Sequence, residues 1–482
     1  MLKSSFAFPS FFSRCLTFVI SIVFLYNYSS AKERPPNIVL ILADDLGYGD
    51  LGCFGQKILK TPHLDKMAKE GIKLTQFYAG CTVCAPSRSV LMTGKHTGRT
   101  TVRGNSTKPI VIKPGQQTLA TVLKKANYTT ACIGKWGIGT PDNFTNPNDV
   151  GFDHFYGYIN MWHAHNFYPE FLIRNGKVEK LQNEVAPKWK RWQDPNLPQA
   201  GRGVAIKKVQ YAPDLFTKDA LRFIEKNKDN PFFLYFAMNV PHTNNEAGDQ
   251  GMEVPDIGEF AEKNWPEPEK GFAAMIKNMD RDVGQIIDLV NELNLASNTL
   301  VIFTSDNGPH QEGGHQADFF NSSGPFRGMK RDLTEGGIRV PTIAWWPGKI
   351  KANTSNNHLW YFGDFMATFA ELARTDAPAD IDSDSFLSTL LGNPPEKQWV
   401  RKSQLYWEFL ERGSAQAVRF GKWKAIRKPM FTGPIKLYDL STDPKEKKDF
   451  STKRPDIVKH IKSLLDESHK PDPNWNTLGR SK

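Results

Sequence analysis

Four short apolar runs, each followed at once by a polar cluster, constrain this chain more than any other feature. Residues 37–43 lead into Asp44-Asp45, and 129–133 into Gly134-Lys135-Trp136-Gly137. Residues 232–238 lead into Pro241-His242, and 299–304 into Asp306-Asn307. Runs this short and apolar predict buried strands. Between them lie stretches 118–126, 216–227 and 271–293, whose apolar residues recur at three- and four-residue spacing and predict amphipathic helices. The alternation predicts an α/β fold with a mostly parallel sheet and helices on both faces. In such sheets the functional loops follow the carboxyl ends of the strands, so the four clusters are expected at one edge.

The two ends of the chain differ from this pattern. Lys3 and Arg14 precede an apolar stretch, 15–26, that ends in Tyr28-Ser29-Ser30-Ala31, and residues 1–31 are expected to be a cleaved signal peptide. The apolar run is shorter than the roughly 20 residues a membrane-spanning helix needs, and no later run reaches that length, so a secreted or periplasmic protein without a membrane span is expected. After a Pro/Asp-rich stretch at 376–384 comes a strand-like series, 404–409, 415–420, 423–427 and 436–440, then a helix near 455–467. The expected organisation is a larger domain, 32–375, and a smaller subdomain, 376–482, built of an antiparallel sheet and a helix.

Asp44 and Asp45 past one strand, with Asp306 and Asn307 past another, give four oxygen-bearing side chains suited to a hard divalent cation, calcium or magnesium. No Cys/His spacing suggests zinc. Each pair taken singly is more often a helix cap or a turn than a metal site. The net charge of +11 favours polyanionic partners. With no run of five Lys/Arg and no helix-turn-helix or zinc-finger pattern, nucleic acid is not the expected one. Beyond Cys15 four cysteines remain, too few to staple a large domain, and Cys81-Thr82-Val83-Cys84 leaves a redox pair open.

The most specific segment is Cys84-Ala85-Pro86-Ser87-Arg88, continued by Ser89-Val90-Leu91-Met92-Thr93-Gly94. With it go Asp44-Asp45-Leu46-Gly47-Tyr48-Gly49-Asp50, Gly134-Lys135-Trp136, Pro241-His242-Thr243, Ser305-Asp306-Asn307-Gly308, Arg327-Gly328-Met329-Lys330 and Glu335-Gly336-Gly337-Ile338-Arg339. This ordered set resembles the sulfatase family of the alkaline-phosphatase-like superfamily, and the likeness extends over nearly the whole mature chain. The resemblance implies that Cys84 is oxidised to formylglycine by a formylglycine-generating or anaerobic sulfatase-maturing enzyme. It further implies Ca2+, with Mg2+ second, held by Asp44, Asp45, Cys84, Asp306 and Asn307. Arg88 would support the formylglycine, Lys135 and Lys330 would contact the sulfate, and His242 would protonate the leaving alcohol. A hydrated aldehyde attacks sulfur through one hydroxyl and later expels sulfate by losing the proton of the other, so the nucleophile resets itself.

One position departs from the family pattern. Many sulfatases carry histidine after Lys-Trp, where this chain has Gly137. The histidines of His163-Ala164-His165, and His310 beyond the metal pair, are expected to line the site as a substitute base or as substrate contacts. The Gly-Lys-Trp-Gly and Ala-His-Asn-x-Tyr-Pro forms resemble carbohydrate-directed members. A sulfated saccharide is therefore the expected substrate, with galactose or N-acetylgalactosamine 4-sulfate the particular choice. Trp162, Trp189, Trp192, Trp265 and Trp360 are candidate sugar-stacking surfaces. Two alternatives stand beside this: a phosphomonoester or phosphodiester hydrolase of the same superfamily, and an unconverted chain that only binds sulfated glycan.

Overall fold

The apolar run Asn37–Ala43 forms β1, buried along its whole length because its odd and even side chains both meet apolar layers. This is a computed structural model, and it describes residues 34–105, 110–138, 146–392, 401 and 403–475, with 1, 2, 4 and 5. The export signal read at 1–31 lies almost wholly outside the described residues.

Nine further strands join β1. They are β2 (Ile72–Leu74), β3 (Thr129–Lys135), β4 (His154–Tyr158), β5 (Phe171–Arg174), β6 (Lys177–Lys180), β7 (Phe232–Ala237), β8 (Thr299–Ser305), β9 (Thr342–Trp345) and β10 (Thr354–Asn356). The order across the sheet is β10-β2-β9-β8-β1-β7-β3-β4-β5-β6. The central five, β8-β1-β7-β3-β4, are all parallel, and antiparallel pairs appear only outside them, at β8/β9, β9/β2, β4/β5 and β5/β6. The four expected strands are thus neighbours in the middle of the sheet. Their polar clusters all leave from one edge, as parallel strands require.

Alternation along β1 divides the core. Ile38, Leu40 and Leu42 pack with α2 (Cys84–Thr93), α3 (Leu119–Lys125) and α6 (Asp364–Leu372) on one face. Val39, Ile41 and Ala43 pack with α1 (Pro62–Glu70), α4 (Ala212–Asn227) and α5 (Glu267–Glu292) on the other. At roughly 1.5–3 kcal/mol for each large apolar side chain buried, this double layer is the main source of stability. Edge strand β6, Lys-Val-Glu-Lys, is mostly exposed and has no apolar run that would announce it.

Toward the carboxyl end, β11 (Leu405–Phe409), β12 (Ala415–Phe420), β13 (Trp423–Arg427) and β14 (Ile435–Asp439) form an antiparallel sheet in sequence order. Helix α7 (Pro455–Ser468) covers it through Ile461 and Leu465, which pack with Val418, Ala425 and Leu437. A buried ionic group fastens this sheet to the active-site side of the molecule. Lys424 Nζ, on β13, lies 2.9 Å from Glu335 Oε1 and 3.0 Å from Glu446 Oε1, and all three side chains are fully buried. Tyr78 Oη donates to Glu335 Oε2 at 2.7 Å and Arg339 completes the pairing at 3.2 Å. Burial would raise the Glu335 carboxyl, but Lys424 and Arg339 hold it down at about 2.

Removing one partner from such a group leaves buried charge uncompensated. Lys424→Met is therefore expected to cost about 3–5 kcal/mol of stability, read as a lowered denaturant midpoint in equilibrium unfolding. A midpoint equal to that of the wild type would show that the group does not hold the two sheets together.

Candidate active site

Helix α2 begins on Cys84, and all ten of its residues are buried. A buried helix must satisfy its polar side chains internally, and the Ser/Thr content of this segment does so. Ser87 Oγ accepts from Gly80 N at 3.0 Å, Ser89 and Thr100 share a hydrogen bond of 2.6 Å, and Thr93 Oγ1 donates to the Ser89 carbonyl at 2.7 Å. No side chain caps the amino terminus at Val83, so the partial positive charge of the helix is directed at Cys84. Arg88 follows one turn later on the same face.

Arg88 is the bracket of the site. Its Nε donates to Asp306 Oδ2 at 2.9 Å, its Nη2 lies 2.8 Å from the same oxygen, and its Nη1 donates to the Lys135 carbonyl at 2.5 Å. One guanidinium thereby joins α2 to the ends of β8 and β3. Lys135 Nζ donates to Asp44 Oδ2 at 2.6 Å, and Asp45 lies beside Asp44 with its backbone in the left-handed region at φ 67°. A non-glycine residue held there is strained, and three bonds fix it. Asp45 N donates to Asp306 Oδ1 at 3.1 Å, Asn307 Nδ2 to Asp45 Oδ1 at 2.7 Å, and Lys330 Nζ to Asp45 Oδ2 at 2.8 Å. The structure therefore brings together Asp44, Asp45, Asp306, Asn307, Arg88, Lys135 and Lys330. The charges of Lys135, Asp44, Asp306 and Lys330 all act on the Cys84 thiol, whose pKa is raised chiefly by burial.

Three buried carboxylates so close together interact strongly. Burial and the neighbouring Asp44 charge push Asp306 up to about 7, against the pull of Arg88. Burial would also raise Asp44, but Lys135, His242 and Arg88 hold it well below the usual range. Asp44 Oδ1 and Asn307 Oδ1 are buried with no hydrogen-bond partner. Two orphaned oxygens amid carboxylates are what a hard divalent cation takes as ligands.

His242 follows β7 and makes a defined tautomer. Its Nδ1 donates to the Thr243 carbonyl at 2.7 Å, which leaves the lone pair on Nε2, 3.3 Å from Lys330 Nζ and 3.3 Å from Asp45 Oδ2. Burial, then the charge of Lys330, lowers its pKa to about 3. Glu312, which has no recognisable motif around it, accepts from Lys330 at 2.9 Å and also pairs with Arg331. A lone glutamate in a polar loop gives no spacing signal, so the sequence did not announce it.

The other histidines divide sharply. His165 stacks on His242 with ring centroids 4.9 Å apart and an interplanar angle of 11°, and its Nδ1 lies 3.2 Å from Glu246 Oε2. His163 does not reach the site. Its ring is buried between Tyr158 and Phe171, its Nε2 donates to the Phe171 carbonyl at 2.9 Å, and burial lowers its pKa to about 3. The expectation that it contacts substrate is corrected: it is a packing residue. His310 has both nitrogens engaged, Nε2 on the Pro241 carbonyl at 3.0 Å and Nδ1 accepting from Glu312 N at 3.2 Å, so it braces the His242 turn and is not free to bind substrate. Gly137 has φ 75°, and a Cβ there would lie 3.3 Å from Lys135 Cε and 3.5 Å from Arg88 Cδ. A side chain at 137 would thus enter the corner between these cations, whereas His165 stands on the His242 side.

Burial speaks against the alternative of a redox pair at Cys81 and Cys84: it pushes the Cys81 thiol up to about 12, away from the thiolate such a pair needs, and Cys81 donates to the Glu408 carbonyl at 3.3 Å. Trp360 belongs to the core, and Trp189 and Trp192 lie instead on a half-exposed loop.

A mostly parallel sheet whose strand ends assemble buried carboxylates and fixed cations beside a helix amino terminus defines an enzyme that hydrolyses anionic esters. Residues 36–375 match the Sulfatase family, and residues 327–470 match the N-sulphoglucosamine sulphohydrolase C-terminal family. The chain belongs to the sulfatase family and is a sulfuric ester hydrolase. It is 30% identical to an N-acetylgalactosamine-6-O-sulfatase of Bacteroides thetaiotaomicron over 90% of this chain and 93% of that protein. It is 31% identical to human N-acetylgalactosamine-6-sulfatase over 75% of this chain and 67% of that protein. Among solved structures, Ps i-CgsB in complex with k-i-k-neocarrahexaose is similar with a TM-score of 0.73 and 28% identity, over 92% of this chain and 96% of that one.

The two histidines of the 163–165 turn give a direct contrast. His163→Ala is expected to lower the melting temperature, with a cost of about 2 kcal/mol for the cavity and lost hydrogen bond, while sulfate release per folded molecule stays within about twofold. His165→Ala is expected to keep the melting temperature and lower sulfate release. The reverse pattern in the two assays would place His163, not His165, in the site.

Proposed function

We propose that this chain is an exported carbohydrate sulfatase that removes a 6-O-sulfate from an N-acetylgalactosamine or galactose unit. Its nucleophile would be formylglycine made from Cys84, with calcium as the resident metal. The observation that carries the reading is the meeting of Asp44, Asp45, Asp306 and Asn307 with Arg88, Lys135 and Lys330 around the first residue of α2. Two relatives named as N-acetylgalactosamine-6-sulfatases favour position 6 over the 4-sulfate expected from the sequence. The neighbour solved with a neocarrahexaose supports a saccharide substrate.

Asp44, Asp45, Asp306 and Asn307 would hold the ion together with the modified residue 84. The orphaned Asp44 Oδ1 and Asn307 Oδ1 would be free to supply two of the oxygens. Calcium is favoured over magnesium because a site made of side-chain oxygens leaves little room for the waters magnesium retains. When bound, the ion draws charge from a sulfate oxygen, and the hydrated aldehyde supplies an oxygen nucleophile in place of the thiol.

The remaining work falls to the chain's own side chains. Lys135 and Lys330 are each held by a carboxylate, Asp44 and Asp45, so their ammonium groups are fixed before substrate arrives and favour charge that grows on the sulfate oxygens. The hydrogen bond between Lys330 Nζ and His242 Nε2 keeps a proton where the leaving alcohol can take it. This refines the expectation for His242: imidazole and ammonium act as a pair, with the proton on the lysine side. Arg88 holds Asp306 and the end of β3 in register. Cys84 is 4% exposed within a fully buried helix, so a maturing enzyme must convert it before the chain folds.

Four measurements test the reading. Mass spectrometry of the peptide bearing residue 84 is expected to show loss of the elements of hydrogen sulfide and gain of an oxygen; an unmodified thiol in active material sinks the formylglycine mechanism. Chelation should abolish sulfate release, with calcium restoring it better than magnesium. Lys135→Ala should lower kcat on N-acetylgalactosamine 6-sulfate by about 10²-fold or more. Equal kcat/KM on the 4- and 6-sulfated sugars would remove the regiochemical part of the proposal.

A further inference from the structure

Beyond the sulfate pocket, residues 187–203 form a strap whose composition and anchoring the reaction itself does not require. Pro187–Gln193 is a short 3-10 turn with the sequence Pro-Lys-Trp-Lys-Arg-Trp-Gln. Lys188, Lys190 and Arg191 are exposed, while Trp189 and Trp192 are half-buried. Lys188 Nζ lies 5.3 Å from the centre of the Trp189 ring, and the Arg191 guanidinium 4.6 Å from that of Trp192. Lys190 pairs with Glu170, but no carboxylate partner is present for Lys188 or Arg191 among the described residues. Two cations are thus held in place by aromatic rings and keep their N–H groups for an external anion.

The strap is wired to the catalytic histidine. Arg202 lies against both indoles, 5.3 Å from Trp189 and 5.5 Å from Trp192, and its Nη2 is 3.0 Å from Glu246 Oε1. The other oxygen of Glu246 is 3.2 Å from His165 Nδ1, and His165 stacks on His242. Hydrogen bonds to the strap's carbonyls fix the same path: Asn166 Nδ2 donates to the Gly201 carbonyl at 3.1 Å, Gly201 N to the Trp192 carbonyl at 2.7 Å, and Asn244 Nδ2 to the Gly203 carbonyl at 3.0 Å. Glycine is required at 203, where a Cβ would lie 2.9 Å from Trp189 Cβ. Cations and indoles are therefore tied through Arg202 and Glu246 to His165.

We infer that this strap is a binding subsite for a second, anionic sugar unit of the substrate chain, with Lys188 and Arg191 taking its sulfate or carboxylate and the tryptophans holding those cations in place. The inference rests on the sulfated-saccharide reading above. It makes the preferred substrate an oligosaccharide bearing at least two anionic units. A monosaccharide would fill only the inner pocket.

The test uses the full chain carrying Cys84→Ala, which removes the nucleophile, and calorimetric titration with a chondroitin 6-sulfate tetrasaccharide and with N-acetylgalactosamine 6-sulfate. Adding Lys188→Ala and Arg191→Ala together is expected to weaken the tetrasaccharide about tenfold and flatten its salt dependence, leaving the monosaccharide within about twofold. Arg191→Lys, which keeps the charge, should retain most of the tetrasaccharide affinity. Unchanged tetrasaccharide affinity, an equal loss for both ligands, or no tetrasaccharide binding at all overturns the subsite. Failure of the sulfatase reading is seen separately, as wild-type protein that releases sulfate from neither ligand.

Discussion

The balance of charge around Arg88 is the constraint on which the rest of the structure depends. Three carboxylates, Asp44, Asp45 and Asp306, sit fully buried where the sheet ends, and desolvating them is tolerable only because Arg88, Lys135 and Lys330 are buried with them. Each cation answers a particular carboxylate, so the three strands and the helix that carry them cannot shift independently. The five parallel strands put these groups at one edge, and the buried α2 brings Arg88 across to meet them. The same balance makes the site reactive. Fixed, buried cations favour an incoming sulfate ester and, more strongly, the charge that builds as its ester bond breaks.

A second level of order surrounds that centre. His242 is held by the Thr243 carbonyl on one side and by Lys330 on the other, His310 braces the turn that carries it, and His165 covers its face. Glu312 and Glu246 sit behind these groups and hold their partners, Lys330 and His165. Neither glutamate is part of a motif, yet each determines where a working side chain points. Farther out, Lys424 inserts between Glu335 and Glu446, so the carboxyl-terminal sheet is fastened to the turn that follows the Lys330 loop. The second sheet thereby bears on the site without contributing a group to the chemistry.

Much of this was legible in the sequence because its signals were local. Short apolar runs marked the central strands, and helical spacing marked α3, α4 and α5, with ends displaced by a few residues where Pro213 and Pro268 start helices earlier than the apolar pattern does. Strand β6 was missed because an edge strand facing water carries no apolar run. Glu312, Glu246 and Arg202 were missed because their partners, Lys330, His165 and Glu246 itself, lie far from them along the chain. His163 and His165 show the limit most clearly. Neighbours in one motif, they have equal claims by composition, but the 3-10 turn His163–His165 sends one ring toward Phe171 and the other toward His242.

The sequence by itself determined the chemical inventory and where the central strands lie along the chain, since hydrophobic periodicity and the residues that follow each strand are properties of short segments. It also determined the resemblance that named a nucleophile at Cys84, because that signal is continuous. Tertiary structure decided which oxygens face one another, which of two neighbouring imidazoles stacks on His242, and which tryptophans remain near the surface beside the pocket. Those choices depend on the desolvation of groups far apart in the chain. Whether a charge is tolerated in the interior is set by what is buried next to it, and no local pattern of residues contains that information.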